Sequence, residues 1–446
     1  MGALLAGGWL VAALLSAMIG LLQYFGVPHG YGFISSADVG EAYGNLRQRN
    51  QFATLTNMGL MALLWWRGQL VLSRHIGIRP GLLQAAAVLL VTANAASMSR
   101  TGLVQLLLTV TLTLYWKPQD RDTRQVLIAS VLGYVLASLM LPLSGGIDFG
   151  NGGIIERFRM VGDVCSSRLT LWSNVLHLIG QRPWLGWGWG ELDYAHFVST
   201  YETPRFCELL DNAHNLPLHL AVELGIPLAL LVCGVLLGLI FRGRPWREKN
   251  ANRQMAWGIL ALILLHSTLE YPLWYGPFQM SLVMCLVLLY WPEIGKAQER
   301  GRGIFRRMAR IGAVLVGACL VGFAVYAAWD YHRISQIYRP PEQRAAAYRE
   351  DTLEKIRGSW LFRDQVRFAE YTMTPLTQNN AQELYAMGLL VLHYSPEARV
   401  AEKLIECTVE LGLEEETRFY LARYKAAYPQ RHARWAAKQL EPVKPQ

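Results

Sequence analysis

The chain of 446 residues predicts an all-α, polytopic membrane protein of about nine transmembrane helices with a C-terminal helical domain. Three observations carry that prediction. Only 17% of the residues are charged while 52% are hydrophobic, which is less ionic coverage than a soluble surface of this length needs. Residues 1–37 and 271–292 contain no formal charge at all. Beyond about residue 330 the composition turns charge-dense and helix-forming. A bilayer core of about 30 Å requires about 20 apolar residues per helix, because hydrocarbon leaves backbone polar groups no partner outside the segment.

In chain order the spans are expected near 4–25, 51–67, 80–99, 101–117, 125–144, 225–242, 254–270, 274–292 and 311–330. The first lacks a basic leader and is longer than a signal-peptide core, so it reads as a retained span. Fifteen Trp and twenty Tyr suit interfacial belts, with Trp65, Trp66, Trp187 and Trp189 near expected boundaries. The connectors alternate in charge. Arg67, Arg74 and Arg79 fall on one side, as do Lys117, Arg121 and Arg124. Arg242, Arg244, Arg247, Lys249 and Arg253 follow, then Lys296, Arg300, Arg302, Arg306, Arg307 and Arg310. The positive-inside rule makes this side cytoplasmic, so the net charge of +9 reflects topology and implies no nucleic-acid partner.

The other side then receives 26–50, the long 145–224 loop, the 270–276 turn and everything after about 331. The expected division is a membrane domain over 1–330, including that loop, and an external helical domain over 331–446. In the latter, Leu404, Cys407 and Leu411 share one helical face. "PEARVAEKLIECTVELGLEEETRFYLARYKAAYP" resembles one tetratricopeptide unit without a second copy. It reads as a small helical domain or as a platform for a protein partner.

Sidedness makes the arginines informative. Arg47, Arg49, Arg100, Arg157, Arg159, Arg168, Arg182 and Arg205 all fall on the external side, against the usual bias. Each could snorkel or pair with Asp148, Glu156, Asp163 or Glu191. As a set they suit a phosphorylated lipid, since guanidinium binds phosphate oxygens in pairs.

Within the loop, "SSRLTLWSNVLHLIGQRPWLGWGWGEL" begins with a short amphipathic helix, apolar at Leu169, Trp172, Leu176 and Ile179 and too short and polar to span. Pro183 ends it, and Gly186, Gly188 and Gly190 alternate with Trp187 and Trp189, which allows a tight turn or a close backbone approach. Cys165 and Cys207 bracket the loop in an oxidising compartment. They read as a disulfide worth roughly 3–5 kcal/mol, or else as two buried thiols. No metal-ligand spacing occurs, so neither metal nor other cofactor is expected.

"LLDNAHNLPLHLAVELG" (209–225) places an Asp, two Asn and a His at the entrance to a span. Pro217 is tolerated only in a first helical turn, so the helix starts at 215–217 with Asn215 in the capping position. His214 then lies at a helix N-terminus, which favours neutral imidazole, the form a general base needs. A plain polar cap explains the same residues. Asp211 and Asn212 receive no role beyond that cap.

"DNAHNLPLHLAVELGIP" resembles the signature of the O-antigen ligase and pilin O-oligosaccharyltransferase superfamily. "SMSRTG" (97–102) resembles the ligase hairpin motif and "RLTLWSNVLHLIGQRPWLGWGWGEL" the long periplasmic segment. "GNLRQRNQFA" (44–53) and "LEYPLWYGPF" (269–278) resemble the pilin-type branch. The resemblance covers about residues 40–290. It implies a GT-C-like glycosyltransferase of the bacterial inner membrane, its active site and C-terminal domain periplasmic. Such an enzyme moves an oligosaccharide from undecaprenyl pyrophosphate to a periplasmic acceptor protein such as pilin, with membrane lipids around it. His214 matches the essential histidine of the family. Arg100 and Arg168 match motif arginines near the pyrophosphate, with Arg47, Arg49, Arg159 and Arg182 as further candidates. More spans are usual before "GNLRQRN" than the single one here. An O-antigen ligase or polymerase is the alternative. A glycan-lipid transporter would need charges along a two-sided path, whereas these gather on one side.

Overall fold

The computed structural model describes residues 1–27, 34–72, 80–116, 121–144, 164–299 and 303–440. Among these every regular element is helical. The longer helices are α1 (Gly2–Tyr24), α2 (Arg49–Leu72), α3 (Pro80–Ala96), α4 (Arg100–Tyr115) and α5 (Arg121–Ser144), then α6 (Arg168–Gln181), α7 (Leu192–Val198), α8 (Leu216–Leu224) and α9 (Ile226–Gly243). Next come α10 (Ala251–Ser267), α11 (Gly276–Glu299) and α12 (Gly303–Ser335). The tail adds α13 (Thr352–Ile356), α14 (Arg363–Met373), α15 (Ala381–Tyr394), α16 (Ala398–Glu410), α17 (Glu414–Ala427) and α18 (Pro429–Leu440).

Helices occupy all nine stretches expected to span. Among the described residues, four candidate spans are long and apolar enough to cross a bilayer: Gly2–Tyr24, Arg121–Leu143, Ile226–Arg247 and Val314–Tyr338. Helices over Gly81–Ala96 and Gly276–Tyr290 are apolar but shorter. The other three differ for a physical reason, since they turn polar side chains inward. Gln51, Thr54 and Asn57 of α2, Gln105 and Thr109 of α4, and His266 of α10 are all buried.

The chain forms two compact units. The first comprises Met1–Gly162, His214–Pro217 and Leu231–Ala297. Here α2 packs against α1, α3, α4 and α10, and α3 packs on α5. Small residues let these axes approach, as packing without a hydrophobic driving force requires. A Cβ on Gly59 would lie 2.3 Å from that of Ala13. The helix ends sort as the alternating connectors require. Arg67 near the end of α2 meets Asp122 at the start of α5, and Trp116 after α4 bonds Pro245 O at 2.9 Å. Asn50, Ser99, Glu270 and His214 gather at the opposite end of the same helices.

The second unit comprises Asp163–Ala213, Leu218–Leu230 and Gln298–Gln446. Residues 163–213 of the loop therefore fall in the same unit as the tail, while His214–Pro217 falls in the first. Phe197 of α7 shares a core with Tyr371, Leu404 and Tyr424. Arg423 donates to Val198 O at 3.2 Å, and Tyr194 stacks on His393 with ring centres 3.6 Å apart. Cys165 and Cys207 are disulfide-bonded, their Cα atoms 5.3 Å apart.

The helix α6 carries two apolar stripes. Leu171, Val175, Leu178 and Ile179 are buried, whereas Leu169 is 77% and Leu176 56% exposed. Both stripes are apolar at helical spacing, so periodicity alone could not choose the inner one.

Candidate functional site

Two prolines shape the site in the first unit. Pro217 falls within the first turn of α8, leaving His214 just outside the helix at φ +50. That left-handed conformation is unfavourable for a residue with a Cβ and persists where surrounding contacts hold it. Asn215 supplies one such contact, donating to Thr268 O at 3.1 Å. Pro272 prevents α10 from running on into α11, and the turn between them carries Glu270 and Tyr271.

Glu270 organises what meets there. Its Oε2 lies 2.6 Å from His214 Nδ1, and its Oε1 accepts from Asn50 Nδ2 at 3.1 Å. Asn50 Oδ1 in turn accepts from Ser99 Oγ at 2.6 Å. The Tyr271 ring meets the imidazole edge-on at 4.9 Å. The side chain of Glu270 is 9% exposed and that of His214 19%, so the carboxylate is shielded while the imidazole reaches the surface. An ionised carboxylate only accepts, so Nδ1 is the protonated nitrogen of this contact, and a basic lone pair on the neutral ring falls to Nε2. A helix turn deeper, Thr54 Oγ lies 3.0 Å from Gln105 Oε1 and 2.9 Å from His266 Nδ1, binding α2, α4 and α10 together.

The expected arginines divide between the units. Arg49 is paired with Glu41. Arg47 donates to Ser35 Oγ at 3.3 Å. Arg100 is exposed in the first turn of α4, directly after Ser99, and has no carboxylate in ion-pair range among the described residues. In the second unit, Arg168 opens α6 and Arg182 covers the Trp187 ring at 4.1 Å. Arg159 lies outside the described residues. Asn212 is buried. Gly186 and Gly188 have φ of +70 and +118, and a Cβ on Gly186 would lie 2.3 Å from Glu223 O. That contact reflects a backbone clamp, in which Trp187 N and Gly188 N donate to Val222 O and Glu223 O.

The second unit holds further buried histidines. His219 Nε2 lies 3.3 Å from Glu223 Oε2, with side chains 3% and 1% exposed. Burial pushes the Glu223 carboxyl up to about 7, against opposing backbone hydrogen bonds at Gly190 and Leu192. His196 is held between Tyr201 Oη and Phe206 O. Burial, with the Arg205 charge, lowers it to about 3. Asp193 is pushed up to about 7, chiefly by burial.

Sequence reasoning missed Glu270, Asn50 and Ser99, although each lies inside a motif quoted above. The available signal was Glu270 itself, the last acidic residue before a charge-free run and two residues ahead of a proline.

Comparison with known proteins bears on the same regions. A protein glycosylation ligase family matches residues 42–66, an O-antigen ligase family 85–233, and the C-terminal family of a virulence factor membrane-bound polymerase 254–441. A ComP-specific O-oligosaccharyltransferase of Acinetobacter baylyi is 22% identical over 334 residues, covering 74% of this chain and 58% of the relative. A general O-oligosaccharyltransferase of the same organism is 24% identical over 279 residues, 60% of this chain and 46% of the relative. The chain thus spans about half the length of the curated relatives it matches.

Proposed function

We propose that this chain, a member of the O-antigen ligase and pilin O-oligosaccharyltransferase superfamily, transfers an oligosaccharide en bloc from undecaprenyl pyrophosphate to a Ser or Thr hydroxyl of a periplasmic protein such as pilin. In this reading it lies in the bacterial inner membrane with nine spans, and the His214 end and the tail face the periplasm. The observation that carries it is the His214–Glu270 pair, a histidine whose proton is held on Nδ1 by a shielded carboxylate while the ring reaches the surface.

The acceptor hydroxyl gives its proton to His214 Nε2 as its oxygen attacks the anomeric carbon. The new C–O bond forms as the bond to the pyrophosphate oxygen breaks, inverting that carbon, and the bonding pair leaves on undecaprenyl pyrophosphate. Glu270 stabilises the imidazolium that forms. Arg100, unneutralised by any carboxylate among the described residues, stabilises the leaving charge, an electrostatic contribution that usually exceeds base catalysis. Arg168 and Arg182 are further candidates for the same charge. Neither metal nor nucleotide sugar enters this scheme.

The matches to O-antigen ligase and polymerase families favour a second reading, with a lipid-linked saccharide as acceptor. Deleting the gene and comparing pilin mass with lipopolysaccharide banding separates the two. Loss of pilin glycan with unchanged lipopolysaccharide supports protein glycosylation, and the reverse outcome sinks it.

A further inference from the structure

Asn50 donates to Glu270, and Ser99 donates to Asn50, so both stand one or two hydrogen bonds behind His214. We propose that Asn50 and Ser99 are positioning residues that set the proton of His214 through Glu270 and fix the base to the hairpin bearing Arg100. The proposal rests on the reading of His214 as the general base.

The direction of each bond supports the relay. Gly102 N donates to Ser99 Oγ at 2.9 Å, which caps α4 and leaves the serine proton for Asn50 Oδ1 at 2.6 Å. With its oxygen so engaged, Asn50 must turn its amide N–H towards Glu270 Oε1, 3.1 Å away. The flipped amide would face a carboxylate oxygen with its own oxygen, and the two would repel. Glu270 is thus held at both oxygens, one by Asn50 and one by His214, and cannot rotate without breaking a charge-assisted bond.

The hairpin end is equally constrained. Gly102 O accepts from Asn57 Nδ2 at 3.1 Å and Asn94 Nδ2 at 3.3 Å, and a Cβ on Gly102 would lie 2.3 Å from Asn94 Oδ1. Met98 has φ +52 and His214 φ +50, so a strained non-glycine residue flanks each end of the relay. Strain of this kind is held in place by surrounding contacts and gathers at functional sites. Arg100 follows Ser99 in sequence. The leaving-group arginine and the base therefore share one frame, although no bond joins them directly.

The test uses the full chain in lipid nanodiscs with ¹⁵N-labelled histidine, assigning the His214 signal by its loss in His214→Ala. The proposal expects Asn50→Ala and Ser99→Ala to convert that signal from a single Nδ1–H tautomer to a mixture. With undecaprenyl-pyrophosphate-linked oligosaccharide and pilin, kcat falls about 10- to 100-fold, by analogy with the residues that orient metal-binding histidines, while donor KM stays within about two-fold. Ser99→Thr, which keeps the hydroxyl, restores both readouts. An unchanged tautomer in both alanine variants overturns the relay, whatever the rates. A shifted tautomer supports the relay even with undiminished transfer, in which case it is the reading of His214 as base that fails.

Discussion

Two histidine–glutamate pairs begin five residues apart in one motif, and they are built for different purposes. His214 belongs to the first unit, meets a glutamate 56 residues away and has a side chain 19% exposed. His219 belongs to the second, meets Glu223 one helical turn on, and is 3% exposed. The first pair joins a chain of polar side chains and reaches the surface. The second is sealed, and burial holds Glu223 near a neutral form. A histidine–carboxylate contact becomes a catalytic pair only where a substrate can reach the ring. Buried, the same two side chains make a packing contact.

Substituting each histidine tests that difference most sharply. His214→Ala is expected to lower transfer by about 10²- to 10⁴-fold with little change in thermal midpoint. His219→Ala, which leaves Glu223 buried without its partner, is expected to cost about 1–3 kcal/mol of stability while the folded fraction keeps its specific activity. Parallel rate and melting measurements on both variants decide the matter, and the comparison collapses if their effects are exchanged.

The disulfide sharpens the contrast from the side of the second unit. Its cysteines are 42 residues apart, so Cys165→Ser is expected to remove about 4 kcal/mol from that unit. Limited proteolysis should then cut the loop readily while the fragment bearing α1–α5 stays protected. Uniform protection would show that the loop is held by other contacts.

Glu270→Gln keeps the shape but removes the charge beside the imidazole. Transfer should fall up to about 10⁴-fold, as when a buried orienting carboxylate becomes an amide, with donor binding by pull-down unchanged. A variant that loses donor binding instead would move Glu270 from orienting the base to holding the substrate.

The smallest effect concerns pH. Between its ordinary value of 4.5 and about 7, folded Glu223 keeps a proton that the unfolded chain has lost. Its contribution to stability therefore declines as pH rises through that window. Asp193, pushed up to about 7, has the same sign. His196, lowered to about 3, has the opposite sign and matters only below its ordinary 6.5. Subtracting wild type from Glu223→Gln cancels those two. The variant should gain on the order of 1 kcal/mol in relative stability from pH 4 to pH 8, read as a midpoint shift of a few degrees.

The legible parts of the molecule were those with local causes. Charge-free runs marked where helices would lie, and helices occupy all nine stretches. Pro217 and Asn215 placed a helix start within 215–217, and α8 begins at Leu216. Other parts were illegible because two local patterns fitted equally well. The helix α6 offers two apolar stripes, and the buried one was set by the neighbours it packs on.

By itself the sequence determined an all-helical, membrane-embedded chain with alternating basic connectors and a histidine at a helix entrance, because hydropathy, charge and proline act over a few residues. Tertiary structure alone decided that residues 163–213 fall in one unit with the tail, and which carboxylate His214 would meet. Glu270 and Asn50 are 220 residues apart, and Asn50 and Ser99 are 49 apart. No periodicity encodes such a pairing. It exists because α2, α4 and α10 pack side by side with their ends level, so the polar residue at each end finds the next.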